Sequence, residues 1–212
     1  MHRLIKWLIL ITVLLVFRLS ASGGDRVRPP HAAGQFYPDD SRVLSTMLGG
    51  FLNKAKADGP DGLITGLWVP HAGYVFSGQI AANGYRLLKG SAVDLAVILG
   101  PSHYVRLRGA SIGDYTAYRT PLGDAIVDTA VAQILWDNRL FRCEPEAHIY
   151  EHSLEVQIPF LQTVLPQVKI LPVLIGEISY SDCKRIADAL VKAVGQKRVV
   201  FIASSDMSRF EY

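Results

Sequence analysis

Cysteine is scarce in this chain. Cys143 and Cys183 are the only two among 212 residues, forty positions apart. That excludes a disulfide-stapled scaffold and a CxxC motif, and it gives little support to a single bridge. The sequence also lacks GxGxxG, a P-loop, HExxH and GxSxG, which argues against nucleotide-binding, zincin and α/β-hydrolase chemistry. It holds no internal repeat, low-complexity tract or second-domain linker. Basic charge is missing from most of its length. The formal +3 comes from the first thirty residues, where Arg3, Lys6, Arg18, Arg26 and Arg28 face only Asp25, a net of +4 that leaves −1 for the remainder. With no basic stripe to follow a phosphate backbone, nucleic acid is excluded as a partner.

What the chain does have is apolar residues, 50% of the total, enough for one domain with a full core. The opening MHRLIKWLILITVLLVFRLSASGG runs from basic residues through an eleven-residue apolar core, Trp7 to Phe17, into small residues. That order is expected of an export signal, and the apolar core is shorter than the ~20 residues of a membrane span. Residues 1–24 are therefore expected to be a cleaved signal or an N-terminal anchor. The protein would be exported, touching membrane only through that segment. Residues 25–212 are expected to form a single domain.

Beyond a Pro- and Gly-rich arm, DRVRPPHAAGQFYPDD, apolar runs at 63–69, 93–99, 168–175 and 199–203 alternate with helical patterns. The runs are rich in Val, Ile and Leu without polar alternation, as in strands covered on both faces. The helical patterns are SRVLSTMLGGFLNKAKA, SGQIAANGYRLLK, DTAVAQILWDN, HSLEVQIPFLQTVL and SDCKRIADALVKAVG. Ser77 is expected to cap the second of them. The stretch 110–128 reads as a hairpin excursion. The fold class is α/β, a mainly parallel sheet with helices on both faces, a three-layer sandwich.

In such sheets, sites form beyond the carboxyl ends of strands. Three runs end in a polar residue of chemical interest: VPHAG places His71, GPSHY places His103, and ASSD places Asp206. A fourth candidate opens EHSLEVQIPFLQ, where His152 and Glu155 are expected to share one helix face away from Leu154, Ile158 and Leu161. Two imidazoles and a carboxylate meeting at one point can hold a transition metal. For each residue alone, a turn histidine, a helix cap or a solvent-facing first-turn position remains an open reading.

The motifs AGQFYP (33–38), PHAGYVFSG (70–78), GPSHY (100–104), EHSLEVQIPFLQ (151–162) and SSDMS (204–208) occur in the order seen in the Memo family, which includes AmmeMemoRadiSam system protein B. The chain resembles that family over residues 33–208. The resemblance implies the fold of the class III extradiol dioxygenases and a metal held by His71 and His103. It also implies that His152 and Asp206 lie in the same pocket. On that reading the ion is a divalent transition metal, iron first and copper second. His152 acts as general acid or base, Asp206 completes or orients the site, and Tyr74, Ser102 and Arg209 contact substrate. Two departures stand out. Arg209 follows Ser208 where the family usually has histidine. The family also continues past this point and supplies a cysteine to the metal, so the domain reads as C-terminally truncated. Three functions follow: metal-dependent redox chemistry on a small substrate, a non-catalytic small-molecule or peptide receptor or adaptor, and metal-assisted hydrolysis. Oligomeric state is left open.

Overall fold

The computed structural model describes residues 26–56 and 58–206. The expected leader therefore lies outside the described residues. Among the described residues, six strands form the main sheet: β2 (Gly66–Val69), β3 (Leu95–Pro101), β4 (Ala110–Ser111), β7 (Phe141–Arg142), β8 (Lys169–Ile175) and β9 (Val199–Ser204), in the order β2-β9-β3-β8-β4-β7. β2, β9, β3 and β8 run parallel, and β4 joins β8 antiparallel. A second sheet sets β1 (Val27–Arg28) beside the hairpin β5 (Ala117–Thr120) and β6 (Gly123–Ile126). Gly123, at φ +114°, closes that hairpin turn in a backbone region that L side chains rarely enter. The hairpin expected within 110–128 is present, while Ala110 and Ser111 belong to the main sheet.

The apolar strands are explained by two cores. Along β3, Leu95 and Val97 point into one core and Ala96 and Ile98 into the other, all fully buried. A strand covered on both faces has no position at which a polar residue is stable, hence the uninterrupted run. One core lies under α1 (Ser41–Lys54), α2 (Tyr74–Arg86) and α6 (Ile158–Val164). The other lies under α3 (Thr129–Trp136) and α7 (Tyr180–Val194). α1 is capped by Asp40, whose carboxylate accepts from the N–H groups of Arg42 and Val43, and it buries Leu44, Leu48 and Leu52 at four-residue spacing. α7 is capped by Ser179.

Two expectations are corrected. α2 begins at Tyr74 with Gly73 as its N-cap, so Ser77 is inside the helix, where its hydroxyl donates to the Ala72 carbonyl at 2.9 Å. The single helix expected over 152–165 is two: α5 (His152–Glu155), following α4 (Pro145–Ile149), and then α6. Pro159 has no N–H for the Glu155 carbonyl, and the Val156 carbonyl instead accepts the Tyr74 hydroxyl at 2.6 Å. Glu155, the last residue of α5, is fully buried, whereas His152 is only partly so.

A close approach joins β3 to α5. A Cβ on Gly100 would lie 2.6 Å from Ser153 Oγ and 2.9 Å from a Leu154 methyl. Gly100→Ala should therefore push α5 off the strand end and lower the unfolding free energy by about 1–3 kcal/mol, read as a drop in the urea midpoint. An unchanged midpoint would show that α5 is not seated on Gly100.

Candidate metal centre

The parallel strands deliver their polar residues at a common offset. His71 lies two residues past the end of β2, His103 two past β3 and Asp206 two past β9. Because Val69 pairs with Ser204 and Leu99 with Ala203, the three turns emerge side by side. α5 arrives from across the sheet and is pinned to two of these strand ends. Ser153 Oγ donates to the Pro101 carbonyl at 2.9 Å, and Ser204 Oγ donates to the Ser153 carbonyl at 2.6 Å. This brings in His152. Ligand-capable nitrogens of His71, His103 and His152 all lie within 4.8 Å of one another. The ring centroids are 5.2 Å (71–103), 5.6 Å (71–152) and 4.6 Å (103–152) apart.

Hydrogen bonding assigns the proton on two of the three rings. Gln157 Nε2 donates to the Pro70 carbonyl at 2.9 Å, which fixes the amide orientation, and also to Ser204 Oγ at 2.8 Å. Its Oε1 accepts from the Tyr85 hydroxyl at 2.8 Å. The Ser204 proton already goes to the Ser153 carbonyl, so Ser204 Oγ can only accept from His71 Nδ1, 3.1 Å away. His71 thus carries its proton on Nδ1, leaving the Nε2 lone pair for the site. His103 Nδ1 lies 2.9 Å from Glu151 Oε1, and the same carboxylate accepts the His103 and Ser153 backbone N–H groups at 2.6 and 2.9 Å. Burial opposes ionisation of Glu151, but donation from His103 and Ser153 outweighs it and holds its carboxyl below the ordinary range. His103 therefore also donates through Nδ1 and presents Nε2. A carboxylate or carbonyl on the far nitrogen is the usual support of a metal-binding imidazole.

His152 lies between two rings, stacked on Phe36 at 4.3 Å and on His103 at 4.6 Å, with the Tyr104 hydroxyl 3.4 Å from its Nδ1. Burial, reinforced by the neighbouring imidazoles and opposed by Glu151, pushes its pKa down to about 4. Burial also lowers that of His71, against the pull of Asp206. Neutral imidazoles keep the lone pairs that a metal needs. Asp206 Oδ1 accepts the His71 backbone N–H at 3.1 Å, and Oδ2 lies 3.6 Å from His71 Nε2.

A Memo-like family profile matches residues 28–212. The chain belongs to that family. Among its relatives, a MEMO1 family protein of Thermoplasma acidophilum is 37% identical over 186 residues, covering 87% of this chain and 68% of that one. A memo-1 homolog of Caenorhabditis elegans is 36% identical over 198 residues, covering 90% and 55%. A MEMO1 family protein of Aquifex aeolicus is 33% identical over 189 residues, covering 87% and 68%. The chain thus spans about two thirds of the length of its prokaryotic relatives and 55% of the nematode one.

The sequence-derived candidates of this Memo-like chain fare differently. His71, His103, His152 and Asp206 come together. Ser102 is beside His103 with its hydroxyl donated to the Val105 carbonyl at 2.6 Å. It lines a groove of ≈ 510 Å³ with His103, Tyr104, Arg106 and Glu177. Tyr74 is corrected: its ring is buried against Tyr37 and Phe160 and its hydroxyl is held by Val156, so it faces the core instead of substrate. Glu155, expected on the His152 face, is fully buried beside Arg28. Arg209 lies outside the described residues. Cys143 and Cys183 are free and exposed. Sequence reasoning missed Glu151, Gln157 and Ser204. Only Glu151 carried a local signal, since it is the N-cap of α5.

A fourth histidine sits behind this group. His148 is buried between Tyr118 and Ser111, its Nδ1 2.8 Å from the Tyr118 hydroxyl and its Nε2 3.1 Å from Ser111 Oγ. Burial, helped by Arg28, pushes its pKa down to about 3 from 6.5. A histidine kept neutral in the fold binds its proton more readily when unfolded. Its contribution is complete above pH 6.5 and is lost as pH falls from 6.5 towards 3, by about 1.4 kcal/mol per pH unit. Urea unfolding at pH 7 and pH 5 should show this loss, and His148→Gln should reduce the slope. An identical slope in the variant would remove His148 as its source.

Proposed function

We propose that this Memo-family chain holds one divalent transition-metal ion at His71, His103 and His152 and uses it for redox chemistry on a small substrate. The observation that carries the reading is the convergence of three imidazoles, two of them with Nδ1–H already directed to Ser204 and Glu151. Such a donor set suits iron or copper, with Asp206 placed to act as a further oxygen donor or to orient His71. His152, expected from sequence as an acid or base, fits better as the third nitrogen donor, since it is stacked between two rings and its basicity is low.

When bound, the ion supplies redox activity and activates substrate by coordination. The chain's own residues do the rest. Glu151 and Ser204 keep the imidazoles aimed. Phe36 and His103 screen the His152 ring from water. Tyr104 stands at the open side with its hydroxyl towards His152, and the adjoining groove has the volume of a small-molecule site. The dioxygenase-like character is supported by the motif resemblance set out above.

Purified protein should carry metal, iron or copper, near one ion per chain by elemental analysis, and His71→Ala and His103→Ala should each remove most of it. Metal retained by the double variant would end this reading. Oxygen uptake with iron, reductant and a panel of catechols then separates catalysis from the alternative. Metal binding with no uptake selects a non-catalytic ligand-binding or adaptor role for the same pocket.

A further inference from the structure

The arm that precedes the first core helix reaches the site through one side chain. Arg28 is fully buried, and all five of its guanidinium N–H groups have acceptors. Nε donates to the His148 carbonyl at 2.8 Å, and Nη2 donates to the carbonyls of Ile149 and Glu151 at 3.1 and 2.9 Å. Nη1 donates to the Pro29 carbonyl at 3.2 Å and to Glu155. The guanidinium lies over the Tyr118 ring, 5.3 Å from its centroid. Three of these acceptors are backbone carbonyls at the end of α4 and in the turn that follows it, immediately before His152.

Glu155 returns the contact. Its carboxylate accepts the N–H groups of His31 and Ala32, at 2.9 Å each in their shorter contacts, and the Tyr37 hydroxyl. Arm and turn are thus clamped from both sides, Arg28 holding the turn and Glu155 holding the arm. The clamp sets two features of the site. It fixes Glu151, whose carbonyl faces Arg28 while its carboxylate faces His103. It also places Phe36 on the outer face of His152.

We propose that Arg28 is a positioning residue of the metal centre: by gathering the carbonyls of the 148–151 segment, it presents the Glu151 carboxylate to His103 and the His152 ring to the other two imidazoles. Lysine cannot substitute, because it has three donors in place of five and no planar fork to span carbonyls of three residues. The inference rests on the metal-site reading above.

Cobalt(II) is a suitable probe, because its visible absorption reports coordination geometry. Arg28→Lys is expected to bind cobalt(II) about 10–100-fold more weakly, the usual scale for losing an outer partner of a metal ligand, with an altered spectrum. In the metal-free variant, the downfield proton resonance of His103 Nδ1–H is expected to disappear. Leu190→Ala, which opens the opposite core, serves as a destabilised control whose cobalt affinity and spectrum stay those of wild type. A folded Arg28→Lys protein with unchanged affinity and an intact resonance would overturn the proposal. If Arg28→Lys does not fold, Tyr37→Phe, which removes one donor from Glu155, should weaken cobalt binding in the same direction, and unchanged affinity there would equally overturn it. Wild-type protein that takes no cobalt defeats the metal reading alone, because the resonance in metal-free protein still decides whether Arg28 positions His103.

Discussion

A neutral imidazole has one proton and one lone pair, and the nitrogen that holds the proton decides where the lone pair points. That constraint governs this site. Ser204 Oγ can only accept from His71, because its own proton is committed to the Ser153 carbonyl and Gln157 occupies its other lone pair. Glu151 is ionised and accepts three N–H groups, two of them from His103. Both assignments end on acceptors that cannot reverse, a backbone carbonyl in one case and a carboxylate in the other. The rings are therefore preset in the metal-free protein, and little reorganisation would oppose the proposed binding.

The same acceptors join the fold to the site. Ser204 ends a central strand, Ser153 lies in the first turn of α5, Gln157 lies between α5 and α6, and Tyr85 comes from the last turn of α2. Val156 and Gln157 keep helical backbone angles between α5 and α6, so the two short helices follow one another closely. Gln157 and Glu155 therefore both reach inward from this one helical stretch, Gln157 to Ser204 and Glu155 to Arg28.

Much of this was legible in the sequence, for identifiable reasons. Doubly covered strands need unbroken apolar runs, so β3, β8 and β9 and the emergence of His71, His103 and Asp206 at one edge followed from pattern alone. Helix α7 was legible from its apolar spacing and its glycine stop. The outer partners were not, because each acts across the fold: Arg28 lies 120 residues from the His148 carbonyl it bonds, and Ser204 lies 133 from His71. No local periodicity encodes such pairs. The Tyr74 and Ser77 expectations failed because a helix that begins at a glycine offers no side-chain cap to read. α2 therefore starts one turn earlier and turns both residues inward. Pro159 was visible in the sequence, yet the apolar spacing around it reads as continuous helix unless the missing N–H is counted.

The account depends most on the proton positions of His71 and His103 in the metal-free protein. Long-range 1H–15N correlation of 15N-histidine-labelled protein at neutral pH reads them directly, with assignment by single-histidine variants. Nδ1–H tautomers for both rings, with pyridine-like Nε2 shifts, are the predicted result. An Nε2–H tautomer at either ring would mean that its lone pair faces Ser204 or Glu151 instead of the shared centre, and the proposed metal site would be contradicted.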